Sequence, residues 1–165
     1  MHLLDSSISK AEQIISLASQ RGWMIATAES CTAGLIAATL TEVAGSSAVI
    51  DRGFVTYSNE AKMDMLTIPE DILVEHGAVS EPTAKAMARG ALANSQASLS
   101  ISVTGIAGPG GGSEDKPVGL VHFGLATEQD LINDIQIFKN HNRAQVRALT
   151  VDHALAMIIQ RLQEI

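Results

Sequence analysis

The chain has 165 residues, 46% of them hydrophobic but only 3% aromatic, so its length suits one domain, residues 1–165, with an aliphatic core. Its formal net charge of −7 argues against general binding of nucleic acids, which requires a basic face, but not against a small anionic ligand held by one or two cations. The single Cys, the lack of zinc-like Cys and His spacing, and the lack of an apolar run of about 18 residues favour a reducing cytoplasm, with no disulfide, metal, cofactor or membrane partner.

Helix and strand patterns alternate along the first half of the chain. Apolar residues at positions 11, 14, 15 and 18 recur at helical spacing, and Arg21-Gly22 is a suitable helix end. Ser58 or Asn59 can cap a further helix, "EAKMDMLT". The elements predicted before that cap are a helix over 8–20, a strand over 23–28, a helix over 33–43 and a strand over 46–58.

The second half of the chain continues this alternation of helices and strands until two strands follow each other directly. The predicted elements are a short helix after Pro69, an Ala-rich helix over 82–95, strands over 99–105, 117–127 and 131–139, and a long final helix from Arg143. Only "TEQD" separates the last two strands, which predicts a hairpin.

These elements predict an α/β fold. Strands that are separated by helices pair in parallel through right-handed crossovers. The hairpin is too tight for a crossover, so one of its strands must run antiparallel. The expected architecture is a three-layer α/β/α sandwich around a mixed, mainly parallel sheet of about five strands.

Polar residues cluster where three of the predicted strands end. The first strand leads into Glu29-Ser30-Cys31-Thr32, the second ends at Tyr57 with Lys62 soon after it, and the third ends at Thr104-Gly105. In open α/β sheets, ligands bind outside the carboxyl ends of the strands. If the three strands are parallel neighbours, a nucleophile, a phenol, an amine and a hydroxyl group face one crevice.

Each of these residues also has an ordinary structural interpretation. Ser30 is equally suited to cap the following helix, whose N-terminal N–H groups could bind a phosphate or an oxyanion. Cys31 is a rival nucleophile or a small buried apolar residue. Lys62 is a solvated helix residue, or a neutral base if it is buried. Tyr57 is either a packing residue or a proton carrier.

Two other features are ambiguous by themselves. The loop "TGIAGPGGGSEDKPVG" fits neither the P-loop nor the dinucleotide fingerprint, but its glycines allow its backbone to approach a ligand closely. Arg143 and Arg147 open the final helix, where arginines are either solvated or bind phosphate. His122 fits a hydrogen-bonded sheet histidine, and no Ser-His-Asp triad or G-x-S-x-G elbow is indicated.

Taken together, five segments resemble the CinA C-terminal family across about residues 9–163. They are "AESCTAG", "RGFVTYSNEAK", "HGAVSE", the glycine-rich loop and the R-x-x-V-R pattern of Arg143 to Arg147, in the family order. The resemblance implies hydrolysis of the carboxamide of nicotinamide mononucleotide to nicotinate mononucleotide and ammonia.

The resemblance also assigns roles to residues. It implies that Ser30 is the nucleophile, Lys62 its base and Tyr57 an assisting proton carrier or orienting group. It further implies a substrate-binding site made by Cys31, Thr32, Thr104, Gly105 and Arg143, with Arg143 on the phosphate. One departure from the family pattern is Ala33, which stands where the family usually has Gly.

The expected partner is therefore a small nucleotide, and the chain is compatible with a homo-oligomer. The competing hypothesis is a nucleotide-binding or regulatory module related to competence or DNA damage, without catalysis. The acidic balance of the chain argues against direct binding of DNA.

Overall fold

The computed structural model describes residues 4–164, so the first three residues and the last residue of the predicted domain lie outside the described residues. The helices and strands found there are α1 Asp5–Arg21, β1 Ile25–Glu29, α2 Leu35–Thr41, β2 Ile50–Val55, α3 Asn59–Leu66, α4 Glu70–His76, α5 Glu81–Ala93, β3 Leu99–Gly105, β4 Leu120–Thr127, β5 Leu131–Ile137 and α6 Arg143–Glu164.

The five strands form one mixed sheet in the order β2-β1-β3-β4-β5. Strand β1 lies between β2 and β3 and pairs in parallel with both. Strand β4 runs antiparallel to β3 and to β5, so it is the strand that opposes the other four. The prediction of a mixed, mainly parallel sheet is confirmed, because helices connect the parallel strands and a tight turn joins β4 to β5.

Helices cover both faces of the sheet and complete the three predicted layers. On one face, α1, α2 and α6 bury aliphatic residues such as Ile14, Ile36 and Ile158 against Val103 and Phe123 of the sheet. On the other face, a smaller cluster around Leu66 and Met87 joins α3, α4 and α5 to β1. Within residues 4–164 no helix is both long enough and apolar enough to cross a bilayer.

The predicted and observed elements differ mainly at their ends. The predicted strand over 46–58 is shorter, since Ser46–Ala48 form a 3₁₀ turn after Gly45, and β2 extends only from Ile50 to Val55. The first helix begins earlier than predicted, at Asp5, but it ends as predicted at Gly22, which has a left-handed φ of 63°. Strand β1 reaches Glu29, which brings that carboxylate to the sheet edge where the polar clusters lie.

Candidate active site

The polar residues at the predicted strand ends surround one cavity of about 220 Å³ at the carboxyl edge of β1 and β3. Its lining residues are Ser30, Cys31, Tyr57, Lys62, Ala78, Val79, Thr104, Gly105, Ala107 and Arg143. All the predicted site residues except Thr32 are therefore brought together. The side chain of Thr32 is fully buried and donates a 2.6 Å hydrogen bond to Glu29, so it is not available to a ligand.

The turn that follows β1, residues 30–34, presents Ser30 to the cavity. The N–H of Ser30 continues the sheet by donating to Val103, and the N–H of Ala33 donates back to the carbonyl oxygen of Ser30 at 3.2 Å. Ala33 and Gly34 both have left-handed backbones, with φ values of 51° and 94°. A left-handed conformation is strained for Ala but not for Gly, so the departure from the family pattern falls at a position that favours Gly.

A buried carboxylate caps the helix after this turn. Glu29 is fully buried, and its oxygens accept hydrogen bonds of 3.0–3.1 Å from the N–H groups of Gly34, Ile36 and Ala37. The sequence suggested that the N-terminus of α2 could bind a phosphate. Its N–H groups are instead occupied by Glu29. Ser30 is not the cap either, because the residue at the N-cap position is Gly34.

Lys62 is the general base candidate, since its amine lies beside the hydroxyl of Ser30. The distance between Lys62 Nζ and Ser30 Oγ is 3.2 Å, and Nζ donates a second, 2.8 Å hydrogen bond to the carbonyl oxygen of Thr56. Only 1% of Lys62 is exposed. Burial lowers the pKa of Lys62 below the ordinary value for lysine, because the charged ammonium loses its hydration.

Local structure explains how a helix lysine becomes buried. The hydroxyl of Ser58 accepts a 3.0 Å hydrogen bond from the N–H of Ala61, which confirms the predicted cap and starts α3 immediately after β2. Lys62 lies one turn into this helix, and its N–H donates to the carbonyl oxygen of Ser58. The short connection from β2 places the inner face of α3 over the edge of the sheet, so the lysine side chain points at Ser30.

Cys31 lies next to Ser30, but its environment makes its thiol a poor nucleophile. It is 5% exposed, and burial raises the pKa of its thiol to about 12. The thiol is therefore protonated at neutral pH, whereas a nucleophilic cysteine needs a thiolate. Between the two candidate nucleophiles that the sequence left open, this environment favours Ser30.

Arg143, at the start of α6, bridges the mouth of the cavity. Its guanidinium donates one hydrogen bond of 2.9 Å to the carbonyl oxygen of Gly108 and one of 3.2 Å to the hydroxyl of Tyr57. Tyr57 is 61% exposed, so it is not the packing residue that the sequence allowed. An arginine has five N–H donors, so Arg143 retains donors for an anion at this mouth.

The floor of the cavity is formed where β3 meets β4. Thr104 is fully buried, and its hydroxyl donates a 2.7 Å hydrogen bond to the carbonyl oxygen of Ala78. A Cβ on Gly105 would lie only 2.7 Å from the carbonyl oxygen of Leu120. Gly105 is thus required by the close approach of two backbones, and it keeps this wall of the cavity flat.

Sequence analysis missed two residues that shape the site. Glu29 was quoted as part of the strand end but given no role, although a carboxylate just before a helix is a known signal for its N-terminus. Arg147 was expected either to be solvated or to bind phosphate. It instead donates to the carbonyl oxygens of Cys31 and Thr32 at 3.1 and 3.0 Å, and it does not line the cavity.

His122 and metal binding play no visible part in this site. His122 lies on β4 outside the cavity lining, burial lowers its pKa, and its Nδ1 has no hydrogen-bond partner among the described residues. Within residues 4–164, His122 therefore lacks at this nitrogen the hydrogen bond that the sequence suggested. Across residues 4–164, no group of three or more His, Cys, Asp or Glu residues is arranged to hold a metal ion.

Comparison with known families and proteins gives consistent matches. The CinA C-terminal domain family matches residues 7–162. Nicotinamide-nucleotide amidohydrolase PncC of Escherichia coli K12 is 52% identical over 126 residues, which are 76% of this chain and 76% of that protein.

Two further matches have names that refer to competence and damage. A protein of Caldicellulosiruptor bescii is 49% identical over 151 residues, which are 92% of this chain but 36% of that relative, so the chain spans about a third of its length. The crystal structure of competence/damage inducible protein CihA from Agrobacterium tumefaciens superposes with a TM-score of 0.95 at 48% identity, covering 97% of this chain and 98% of that one.

Proposed function

Since the chain belongs to the CinA C-terminal domain family, we propose that it hydrolyses the carboxamide of nicotinamide mononucleotide, giving nicotinate mononucleotide and ammonia. The observation that carries the proposal is the 3.2 Å contact between Lys62 Nζ and Ser30 Oγ inside a buried pocket. A relative named nicotinamide-nucleotide amidohydrolase, 52% identical to this chain, supports the choice of substrate.

The first half of the proposed reaction forms a covalent acyl-enzyme. Neutral Lys62 accepts the hydroxyl proton of Ser30 while Oγ bonds to the amide carbon, and the carbonyl electron pair moves onto oxygen. When that pair returns, the C–N bond breaks, and the departing nitrogen takes from the Lys62 ammonium the proton that came from Ser30. Ammonia leaves, and a nicotinoyl ester of Ser30 remains.

The second half returns the enzyme to its starting state. A water molecule gives one proton to Lys62 and attacks the ester carbon, and the intermediate expels Ser30 Oγ, which recovers that proton. The lowered pKa of Lys62 supports this dual role, since a lysine with an ordinary pKa near 10.5 would hold its proton at neutral pH. The hydrogen bond from Nζ to the Thr56 carbonyl keeps the amine on Ser30 through both halves.

In the proposed complex the remaining residues orient the nucleotide. Arg143 binds the phosphate at the mouth with the N–H groups that neither Gly108 nor Tyr57 uses. Tyr57, exposed beside it, orients the ribose side of the substrate and carries protons to solvent. Cys31, Thr104 and Gly105 form the walls against which the pyridine ring packs.

The test is release of ammonia from nicotinamide mononucleotide, with chromatography of the nucleotide product. Ser30→Ala should lower kcat by about a thousandfold or more, as removal of a nucleophile does. Cys31→Ala is the comparison variant, because it removes the rival nucleophile and only the sulfur atom of one cavity wall, so substantial activity should remain. The reverse pattern would make the protein a thiol amidase.

The same assay separates catalysis from binding alone. A wild-type protein that binds the mononucleotide but releases no ammonia would be a nucleotide-binding or regulatory module instead. The names of the competence and damage relatives leave that function as the second candidate.

A further inference from the structure

The turn that carries Ser30 is held by two charged side chains of opposite sign. Glu29, the last residue of β1, accepts hydrogen bonds from the N–H groups of Gly34, Ile36 and Ala37 at the start of α2. From α6, Arg147 donates to the carbonyl oxygens of Cys31 and Thr32 at 3.1 and 3.0 Å.

Most N–H groups of this turn have partners. Ser30 and Ala33 donate to backbone carbonyls, and the N–H of Cys31 donates to its own thiol sulfur. In a trans peptide the C=O and the following N–H point in opposite directions. By holding the Cys31 carbonyl, Arg147 therefore turns the N–H of Thr32 away from itself.

The placement of a nucleophile decides how fast it attacks, since a displacement of about 1 Å can lower a rate about a hundredfold. Ser30 lines the cavity, and the turn that begins with it contains both carbonyls that Arg147 holds. The peptide between Thr32 and Ala33 links the two: its carbonyl accepts from Arg147, and its N–H donates to the Ser30 carbonyl at 3.2 Å.

We infer that Arg147 is a positioning residue for the reaction proposed above: by clamping the carbonyls of Cys31 and Thr32, it fixes the turn that carries Ser30 and so aims Ser30 Oγ at the amide carbon. Its charge also polarises the peptide between Thr32 and Ala33, which strengthens the hydrogen bond that the N–H of Ala33 donates to the Ser30 carbonyl. Arg147 touches no substrate, since it does not line the cavity. This role rests on the proposed function and differs from that of Arg143, four residues earlier, which faces the mouth.

The test compares Arg147→Lys and Arg147→Met with Arg52→Lys. Arg52 is the matched control because its guanidinium also donates to a backbone carbonyl, that of Asn94 at 3.0 Å, away from the cavity. Lysine keeps the charge but not the planar fork that reaches two carbonyls. Urea unfolding establishes the conditions in which every variant is folded.

Two readouts are expected to fall together in the Arg147 variants. The kcat for ammonia release should drop about tenfold to a hundredfold, as displacement of a nucleophile by about 1 Å does, with KM changed less than about threefold. The rate at which a fluorophosphonate ester labels Ser30 should drop similarly. In that reaction an Oγ–P bond forms, fluoride leaves and the proton goes to Lys62, so it tests the turn without the nucleotide.

The outcomes separate the inference from the proposed function. Folded Arg147 variants with unchanged kcat and labelling, or a loss confined to KM, would overturn the inference while leaving the amidase intact. Slower labelling in a protein that releases no ammonia would support the inference and overturn the proposed substrate. If neither variant folds, Arg147 is a folding residue and the positioning role is wrong.

Discussion

Replacing Glu29 with Gln should test how the turn that carries Ser30 is stabilised. The side chain keeps its shape but loses its charge. One carboxylate oxygen of Glu29 accepts from Thr32 Oγ1, Gly34 N and Ile36 N, and the other accepts from Ala37 N and, at 3.3 Å, from Thr27 Oγ1. The amide oxygen of Gln can take the place of the carboxylate oxygen that accepts from Thr32, Gly34 and Ile36. The NH₂ group of Gln must then face the N–H of Ala37, and two donors cannot form a hydrogen bond.

The expected cost follows from these contacts. An unpaired buried N–H at Ala37 costs about 1–3 kcal/mol, and the lost anion at the α2 terminus costs about 0.3–2 kcal/mol. The lower desolvation cost of a neutral side chain offsets part of this. The free energy of unfolding should therefore fall by about 2–3 kcal/mol, and amidase activity should fall with it because the Ser30 turn loosens.

Urea unfolding followed by circular dichroism measures this loss, and Glu70→Gln is the matched control. Glu70 is an exposed acid in the first turn of α4, which has seven residues like α2, so its replacement should cost at most about 1 kcal/mol. A loss below about 1 kcal/mol for Glu29→Gln, equal to that of the control, would refute the account of Glu29 as a buried cap.

Three further predictions concern the base, the phosphate and the strained turn. Because the folded-state pKa of Lys62 is lowered, the unfolded chain binds more protons up to about pH 10.5, so stability should rise with pH in that window. Lys62→Met should abolish activity and be more stable than wild type at pH 7 by a margin that shrinks at pH 9.5; a margin independent of pH would contradict the lowered pKa. Arg143→Ala should raise KM for the mononucleotide about tenfold to a hundredfold, as loss of a charge-assisted hydrogen bond of about 1.5–3 kcal/mol requires, and an unchanged KM would remove Arg143 from the phosphate. Ala33→Gly should not destabilise the protein and should gain up to about 1 kcal/mol, since φ at Ala33 is 51°, whereas Ala38→Gly, at an exposed position in α2, should lose about 0.5–1 kcal/mol; equal losses would show that Ala33 is unstrained.

The sequence by itself determined the architecture and which residues meet. Helices between the early strands require parallel pairing, and parallel neighbours end at one edge of the sheet. Ser30, Tyr57, Lys62 and Thr104 follow or end such strands, so chain direction predicted their convergence on one cavity on the condition that the strands are neighbours, which the sheet order meets. The motifs also identified the family, which the match over residues 7–162 confirms.

Only the tertiary structure decided what surrounds each of these residues. Most helix lysines are solvated, and the burial of Lys62 depends on how closely α3 packs over the sheet edge. A glutamate at a strand end resembles a surface charge until the three N–H groups around Glu29 are seen.

Arg143 and Arg147 show the same limit most clearly. They are the same residue type, four positions apart on one helix, and their pattern in the sequence does not distinguish their roles. The placement of α6 against the sheet sends Arg143 to Tyr57 at the cavity mouth and Arg147 to the carbonyls of the Ser30 turn. That placement results from burial of residues such as Val146 and Ile158 along the whole helix, so it is a property of the packed core rather than of the local motif.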